Sequence, residues 1–352
     1  MANRHFDHGA RASEDDQRPA RTERARVVRI PGEAQRPRRV RSARLTEQPF
    51  SEYLKVERIP RLRNPVLLMA FEGWNDAGEA ASTAAQVLVS QRDGQKFAWL
   101  DPEEFFVFTD TRPQVRAAGK GRRAIEWPSN EFFACLDPQH GPRARDLVVL
   151  LGTEPDLRWR TFSDIVLDVA QRCGIELVVG LGALHADVPH TRPTRVTGSA
   201  ANAERHQLLR RLHFKPSKYE GPTGIVGVLT SRFAEAGYPV VSLWGWAPHY
   251  ISTPNPMVAA KMLREVARIL DISVDTEMIE EAAQRFDEQV REAVSRDPEA
   301  MAYVRDLERE SSEDDDGEDE DAPRAAGELP SGAAMVDALE EFLRQRRAQQ
   351  GE

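Results

Sequence analysis

The sequence predicts an α/β fold: a three-layer α/β/α sandwich in which a mainly parallel sheet carries helices on both faces. Three observations predict it. Four short apolar runs recur along the chain, Val66–Phe71, Leu147–Leu151, Leu177–Leu181 and Val240–Trp246. Runs of that length, bounded by Pro, Gly or polar residues, suit strands buried on both faces. Each gives way to a helical pattern downstream, and alternation of strand and helix produces a parallel sheet whose connections cross back over one face. The first run also ends in Gly73-Trp74-Asn75-Asp76-Ala77-Gly78, a glycine-bearing turn in which Asn75 or Asp76 can accept from the free N–H groups that open a helix.

The elements follow in order. Residues 1–45 hold twelve arginines with Pro19, Pro31 and Pro37, and read as a basic, disordered tail with too little apolar surface for a core. The α/β domain is expected over 46–307. Its first helix starts at Ala77, with Ala80, Ala81, Ala84, Ala85, Val87 and Leu88 as a small-sided packing face. Phe97–Leu100 and Phe105–Phe108 read as strands, and Arg122–Trp127 with Glu131–Cys135 as a hairpin around Pro128-Ser129-Asn130. A helix over Trp159–Cys173 follows the second apolar run. A polar loop, Ala186–Pro193, follows the third, and a helix from the Gly221–Gly227 region to about Ala236 leads into the fourth. C-terminal helices occupy 253–307: one capped by Asn255 with Pro256 in its first turn, the next over Asp275–Ser295. Residues 308–330 form an acidic linker, ten of the fourteen residues from Glu308 to Asp321 being Asp or Glu. An amphipathic helix is expected in 331–352, through Val336, Leu339, Phe342 and Leu343.

Composition narrows the function. A net charge of −9 leaves no basic excess for a phosphate backbone, so no nucleic acid is expected as a partner. Cys135 and Cys173 lack Cys-x-x-Cys spacing, which argues against a disulfide scaffold or a zinc module. No run is long enough to span a membrane, and the chain reads as cytoplasmic.

In open α/β sheets, sites form where strand C-termini meet helix N-termini. Candidate crevice or interaction residues are therefore Gly73, Trp74, Asn75, Asp76, Glu154, Trp159, His185, Asp187, His190, Thr191, Arg192, Trp244 and His249. Glu72 and Glu154 could share acid/base work if burial or repulsion raised one pKa; equally, such carboxylates can stabilise helix ends without chemistry. His185 and His190 flank Asp187, but the sequence offers no His-x-x-x-His on a helix and no Cys partner, so no metal is expected. Gly221-x-x-Gly224-x-x-Gly227 could hold an anion at a helix start or allow close packing on the sheet. It has neither dinucleotide nor phosphate-loop spacing, and no Gly-x-Ser-x-Gly elbow occurs. Trp74, Trp159, Trp244 and Trp246 could floor a pocket or pack as core aromatics.

The strand-end motifs, Gly73–Gly78, Gly152-Thr153-Glu154-Pro155 with Trp159, Gly182-Ala183-Leu184 through Asp187–Pro193, and Pro239–Trp244 through Pro248-His249-Tyr250, occur in an order that resembles the bacterial branch of the proteasome assembly chaperone 2 family over about residues 65–270. The resemblance implies a phosphorylase/hydrolase-like sandwich and, from eukaryotic members, chaperones that hold proteasome subunits. Archaeal relatives engage proteasomes through a hydrophobic-Tyr-x tail, whereas this sequence ends Gln349-Gln350-Gly351-Glu352. The expectation is a non-catalytic, homo-oligomeric protein-interaction module without cofactor. The alternative is a nucleoside-like enzyme or binder using the crevice. A deep pocket with perturbed carboxylates would favour the enzyme, and a shallow one beside an exposed apolar patch the module.

Overall fold

The computed structural model describes residues 50–316, except 120, 140, 142, 143 and 218. The tail 1–45 and the helix expected in 331–352 lie outside the described residues. Ten strands and seven α-helices run in the order β1 (Leu54–Val56), β2 (Val66–Glu72), α1 (Ala80–Gln91), β3 (Gln95–Leu100), β4 (Gln114–Ala117), β5 (Arg123–Glu126), β6 (Asn130–Cys135), β7 (Leu147–Thr153), α2 (Trp159–Cys173), β8 (Leu177–Ala186), β9 (Val196–Ala200), α3 (Ala203–Arg211), α4 (Ile225–Glu235), β10 (Val240–Pro248), α5 (Pro256–Leu270), α6 (Glu277–Ser295) and α7 (Pro298–Asp316) among the described residues.

Eight strands form one sheet in the order β1-β3-β6-β7-β2-β8-β10-β9. The four apolar runs lie side by side as β7-β2-β8-β10, and every pairing among them is parallel. The strands outside them pair antiparallel, so the sheet is parallel at its centre and mixed as a whole. Strand β2 shows the layering. Val66, Leu68 and Ala70 pack into the core built with α1 and α5, while Leu67, Met69 and Phe71 pack into the core built with α2 and α4. Alternate residues of a strand point to opposite faces, so a run apolar at every position must be covered twice.

Three expectations change here. Arg122–Trp127 does not pair with Glu131–Cys135. Instead β5 pairs with β4 as a separate two-stranded ribbon, while β6 lies between β3 and β7. Asn130 is the reason that Pro128-Ser129-Asn130 is not a hairpin turn: it is already the first residue of β6, opposite Gly152. The close approach needs glycine, because a Cβ at position 152 would stand 2.1 Å from the Ser129 carbonyl oxygen. Phe105–Phe108 is not a strand. The Asp156 carboxylate accepts from Val107 N at 2.7 Å, and Phe105 O accepts from Asp156 N at 2.9 Å, so these backbone groups are satisfied by a loop rather than a ladder. The boundary expected at 307 also moves, since α7 continues through Asp316. Its second and third turns bury Val304 and Leu307, apolar anchors that carry the helix into the acidic stretch.

Candidate functional site

Two sites occupy the C-terminal edge of the parallel strands. The first is a crevice at the ends of β2 and β7, lined by Glu72, Gly73, Trp74, Thr111, Thr153, Glu154, Pro155, Asp156 and Trp159, with a volume of about 390 Å³. Gly73 turns the chain out of β2 at φ +119°, a region closed to residues with a Cβ. Asp76, not Asn75, then serves the opening helix: its carboxylate accepts from Ala81 N at 2.7 Å and Ser82 N at 3.3 Å. Burial pushes the Asp76 carboxyl up, and the bonds from Ser82 and Ala81 pull the other way.

Asn75 is fully buried. Its amide nitrogen donates to Glu154 Oε1 at 2.6 Å, and the same oxygen accepts from Ile225 N at 2.7 Å. Glu154 therefore joins the β2 turn to the first turn of α4. This explains the glycine spacing before that helix. A Cβ at Gly224 would lie 2.2 Å from Asn75 Oδ1, so glycine there permits close packing, and a protein carboxylate already holds the helix N-terminus where an anion could have sat. Glu154 N donates to the Glu72 carbonyl at 2.9 Å. The Glu72 carboxyl is pushed up first by partial loss of solvation and then by repulsion from Asp76, Glu79 and Glu126. Trp159 is half-buried and donates its ring N–H to Pro155 O. Trp74 stands 56% exposed at the rim.

The second site lies at the ends of β8 and β10, beneath α7. His190 is buried; Tyr250 Oη accepts from its backbone N–H at 2.7 Å and lies 2.8 Å from its Nδ1. His249 Nδ1 lies 3.0 Å from Asp187 Oδ1, and its Nε2 is 3.1 Å from Tyr303 Oη of α7. Edge-to-face contacts join His190, Tyr250, His249 and Tyr303, and Thr191 donates to Glu308 of α7. Burial lowers the pKa of His190. His185 is lowered in the same way, with repulsion from His249 adding to it. Arg192 and His190 line a cavity of about 30 Å³ with Trp246, Asn255 and Ser311, room for roughly one water.

Twelve of the thirteen candidates thus divide between two sites instead of meeting in one crevice. Gly73, Trp74, Asn75, Asp76, Glu154 and Trp159 surround the first. His185, Asp187, His190, Thr191, Arg192 and His249 surround the second. Trp244 belongs to neither, because its ring lies on Gly182, where a Cβ would be 2.6 Å away, and its N–H donates to Ser242. Trp246 is 7% exposed and cannot offer a binding face. Sequence reasoning missed Tyr250 as a participant and Tyr303 and Glu308 altogether; the helical spacing Tyr303, Leu307, Ser311 carried the signal. No group of three or more His, Cys, Asp or Glu that could hold a metal ion occurs among the described residues.

A model of the PAC2 family matches residues 70–294, from β2 through α6. The chain belongs to the PAC2 family. Among solved structures, a PAC2 family protein from Streptomyces avermitilis is 41% identical with a TM-score of 0.62, over 68% of this chain and 99% of that one. A proteasome-assembly chaperone homologue from Mycobacterium tuberculosis is 38% identical with a TM-score of 0.61, again over 68% and 99%. A Mycobacterium tuberculosis protein of unknown function is 29% identical with a TM-score of 0.68, over 76% and 92%. No curated protein matches the chain. Helix α7 begins at Pro298, outside the span that the PAC2 model matches. No helix of the described residues is long and apolar enough to cross a membrane.

Proposed function

We propose that this PAC2 protein is a non-catalytic protein-interaction module serving proteasome-related assembly, working in the cytoplasm as a homo-oligomer. The observation that carries this reading is the occupation of the crevice acids. Asp76 and the Oε1 oxygen of Glu154 accept from Asn75, Ile225, Ala81 and Ser82, bonds that tie the β2 turn to α1 and α4 and so give these carboxylates a structural task. Trp74 at the rim, with Val115, Ile125 and Trp127 exposed on or beside the β4–β5 ribbon, supplies the aromatic and aliphatic anchors that dominate protein interfaces. The naming of one relative as a proteasome-assembly chaperone homologue supports the same direction.

The test is binding to purified proteasome subunits by native mass spectrometry, with wild type, Trp74→Ala and Glu154→Gln side by side. Trp74→Ala should weaken capture by about 2 kcal/mol, roughly 30-fold, with self-association scored in the same spectra. A second reading, a nucleoside-like ligand in the crevice, draws on the raised Glu72 carboxyl and on a crevice of small-molecule size. Nucleoside binding that is lost in Glu72→Gln, with subunit capture absent in all three proteins, would establish that reading and overturn the first.

A further inference from the structure

The β4–β5 ribbon stands apart from the main sheet. Every residue of both strands is exposed, and neither outer edge is paired among the described residues. Val115 and Ile125 face each other across it at 61% and 59% exposure. Its charge is one-sided: the stretch 112–126 contains Arg112, Arg116, Lys120, Arg122 and Arg123 against Glu126 alone. Among the described residues Arg116 pairs with Glu126 at 2.8 Å, and no carboxylate lies within ion-pair distance of Arg112, Arg122 or Arg123. A protein of net charge −9 therefore presents a cationic, partly apolar ribbon with open edges.

Charged side chains on an edge protect it from other strands, and here they discriminate. A second copy pairing through the same ribbon would set arginine against arginine, which is destabilising. An acidic segment meets no such barrier, and the chain contains one. Glu318-Asp319-Glu320-Asp321 follows Asp316, the last residue of α7, after Gly317. Helix α7 lies over the C-terminal edge of the parallel strands, the edge that also holds the crevice. Tyr303 touches His249, and Ser311 two turns later shares the small cavity with Asn255, whose N–H donates to Gly78 O at 2.7 Å in the crevice turn. The ribbon adjoins that crevice in the chain, since Thr111, three residues before β4, lines it.

We propose that the basic β4–β5 ribbon is an internal docking surface for the acidic segment 318–321 of the same chain. The occupied ribbon has its arginines paired and Val115 and Ile125 shielded. A client that uses Val115 and Ile125 must displace this segment, but the docking is read on the chain alone and stands whether or not proteasome subunits bind.

Spin labels at Ala118→Cys and Ala322→Cys in the full chain test it by pulsed electron resonance. The native thiols do not compete for the label: Cys135 and Cys173 are buried, which pushes each up to about 12. A narrow, short distance is expected. It should broaden in Arg122→Glu/Arg123→Glu and in about 1 M salt, where the screening length is roughly 3 Å. It should return when the reversed ribbon is combined with Glu318→Arg/Asp319→Arg. Thermal midpoints of the ribbon variants, which alter exposed residues only, verify that they fold. A broad distribution unchanged by salt or charge overturns the proposal. So does a short distance that survives both reversals, or one that appears only when singly labelled copies are mixed.

Discussion

The two ends of the parallel array make an instructive pair. Both lie at the C-terminal edge of the same sheet, and both collect titratable side chains in the loops that follow apolar strands. At β2 and β7 the groups are carboxylates, fixed by backbone N–H donors and one amide, beside a rim left open with Trp74 exposed. At β8 and β10 the groups are imidazoles and phenols, stacked edge to face and roofed by α7. Polar groups at strand ends do not by themselves make an active site. Whether they face solvent depends on what the rest of the chain lays over them, and whether they are free depends on which N–H groups lie nearby.

Removing the roof should have the largest effect. Leu307, 3% exposed, is the deepest anchor of α7, and Leu307→Ala should cost about 2–5 kcal/mol. Hydrogen exchange should then rise over His185–His190 and His249–Tyr250 and leave the Gly73–Gly78 turn unchanged. Exchange rising equally at both ends would show that they are one cooperative unit.

At the open end, Gly73→Val should cost about 1–3 kcal/mol through its positive φ alone. That corresponds to a thermal midpoint lower by roughly 2–4 °C for each kcal/mol. An unchanged midpoint would mean the turn can relax, and that its geometry is not what holds the crevice.

Glu154 gives a graded test of the same end. Glu154→Ala removes the acceptor shared by Asn75 and Ile225 and should cost about 1.5–3 kcal/mol. Glu154→Gln keeps an oxygen in place and should cost about half as much. Equal losses would assign the role to charge instead of to the bridge.

The smallest effect distinguishes the two ends by pH. His190 and His185 have folded pKa values below their ordinary 6.5, so the unfolded chain binds their protons more readily. Their contribution is complete above 6.5 and is lost as pH falls below it. Asp76 and Glu72 are raised above their ordinary 3.8 and 4.5. Their folded forms hold protons longer, so they contribute most on the acid side and lose that contribution as pH rises through the folded pKa. Denaturation midpoints followed downward from neutral pH should fall below 6.5 in wild type and fall less steeply in His190→Asn. An unaltered slope would place the histidine contribution elsewhere.

Legibility varied with the kind of information each element needed. The four central strands, the Asn255 cap of α5 and the stripes of α2, α5 and α6 could be read because each is written in local periodicity. Strand β9, with Gly198 and little apolar content, could not, because its only warrant is an edge of β10 awaiting a partner. The pairing of β5 with β4 was equally hidden, since Pro128-Ser129-Asn130 carries turn-like residues whatever the strands beside it do. For the candidate site, strand-end position picked out side chains that gather at the C-terminal edge of the parallel strands. It could not show that they form two groups, nor that Trp244 turns away from both while Trp246 lines the cavity of the second.

The sequence by itself determined the layered α/β architecture. Burial on two faces demands continuous apolar runs, and a helix on each face demands its own stripe; both patterns are one-dimensional. Tertiary structure decided what the polar residues do. Glu154 became a bridge because Ile225 N, far along the chain, comes within 2.7 Å of it. His249 became part of a roofed cluster because Tyr303 of a later helix reaches it. Hydrogen bonds are made at about 3 Å between groups that folding brings together, and spacing along the chain does not encode which groups those will be.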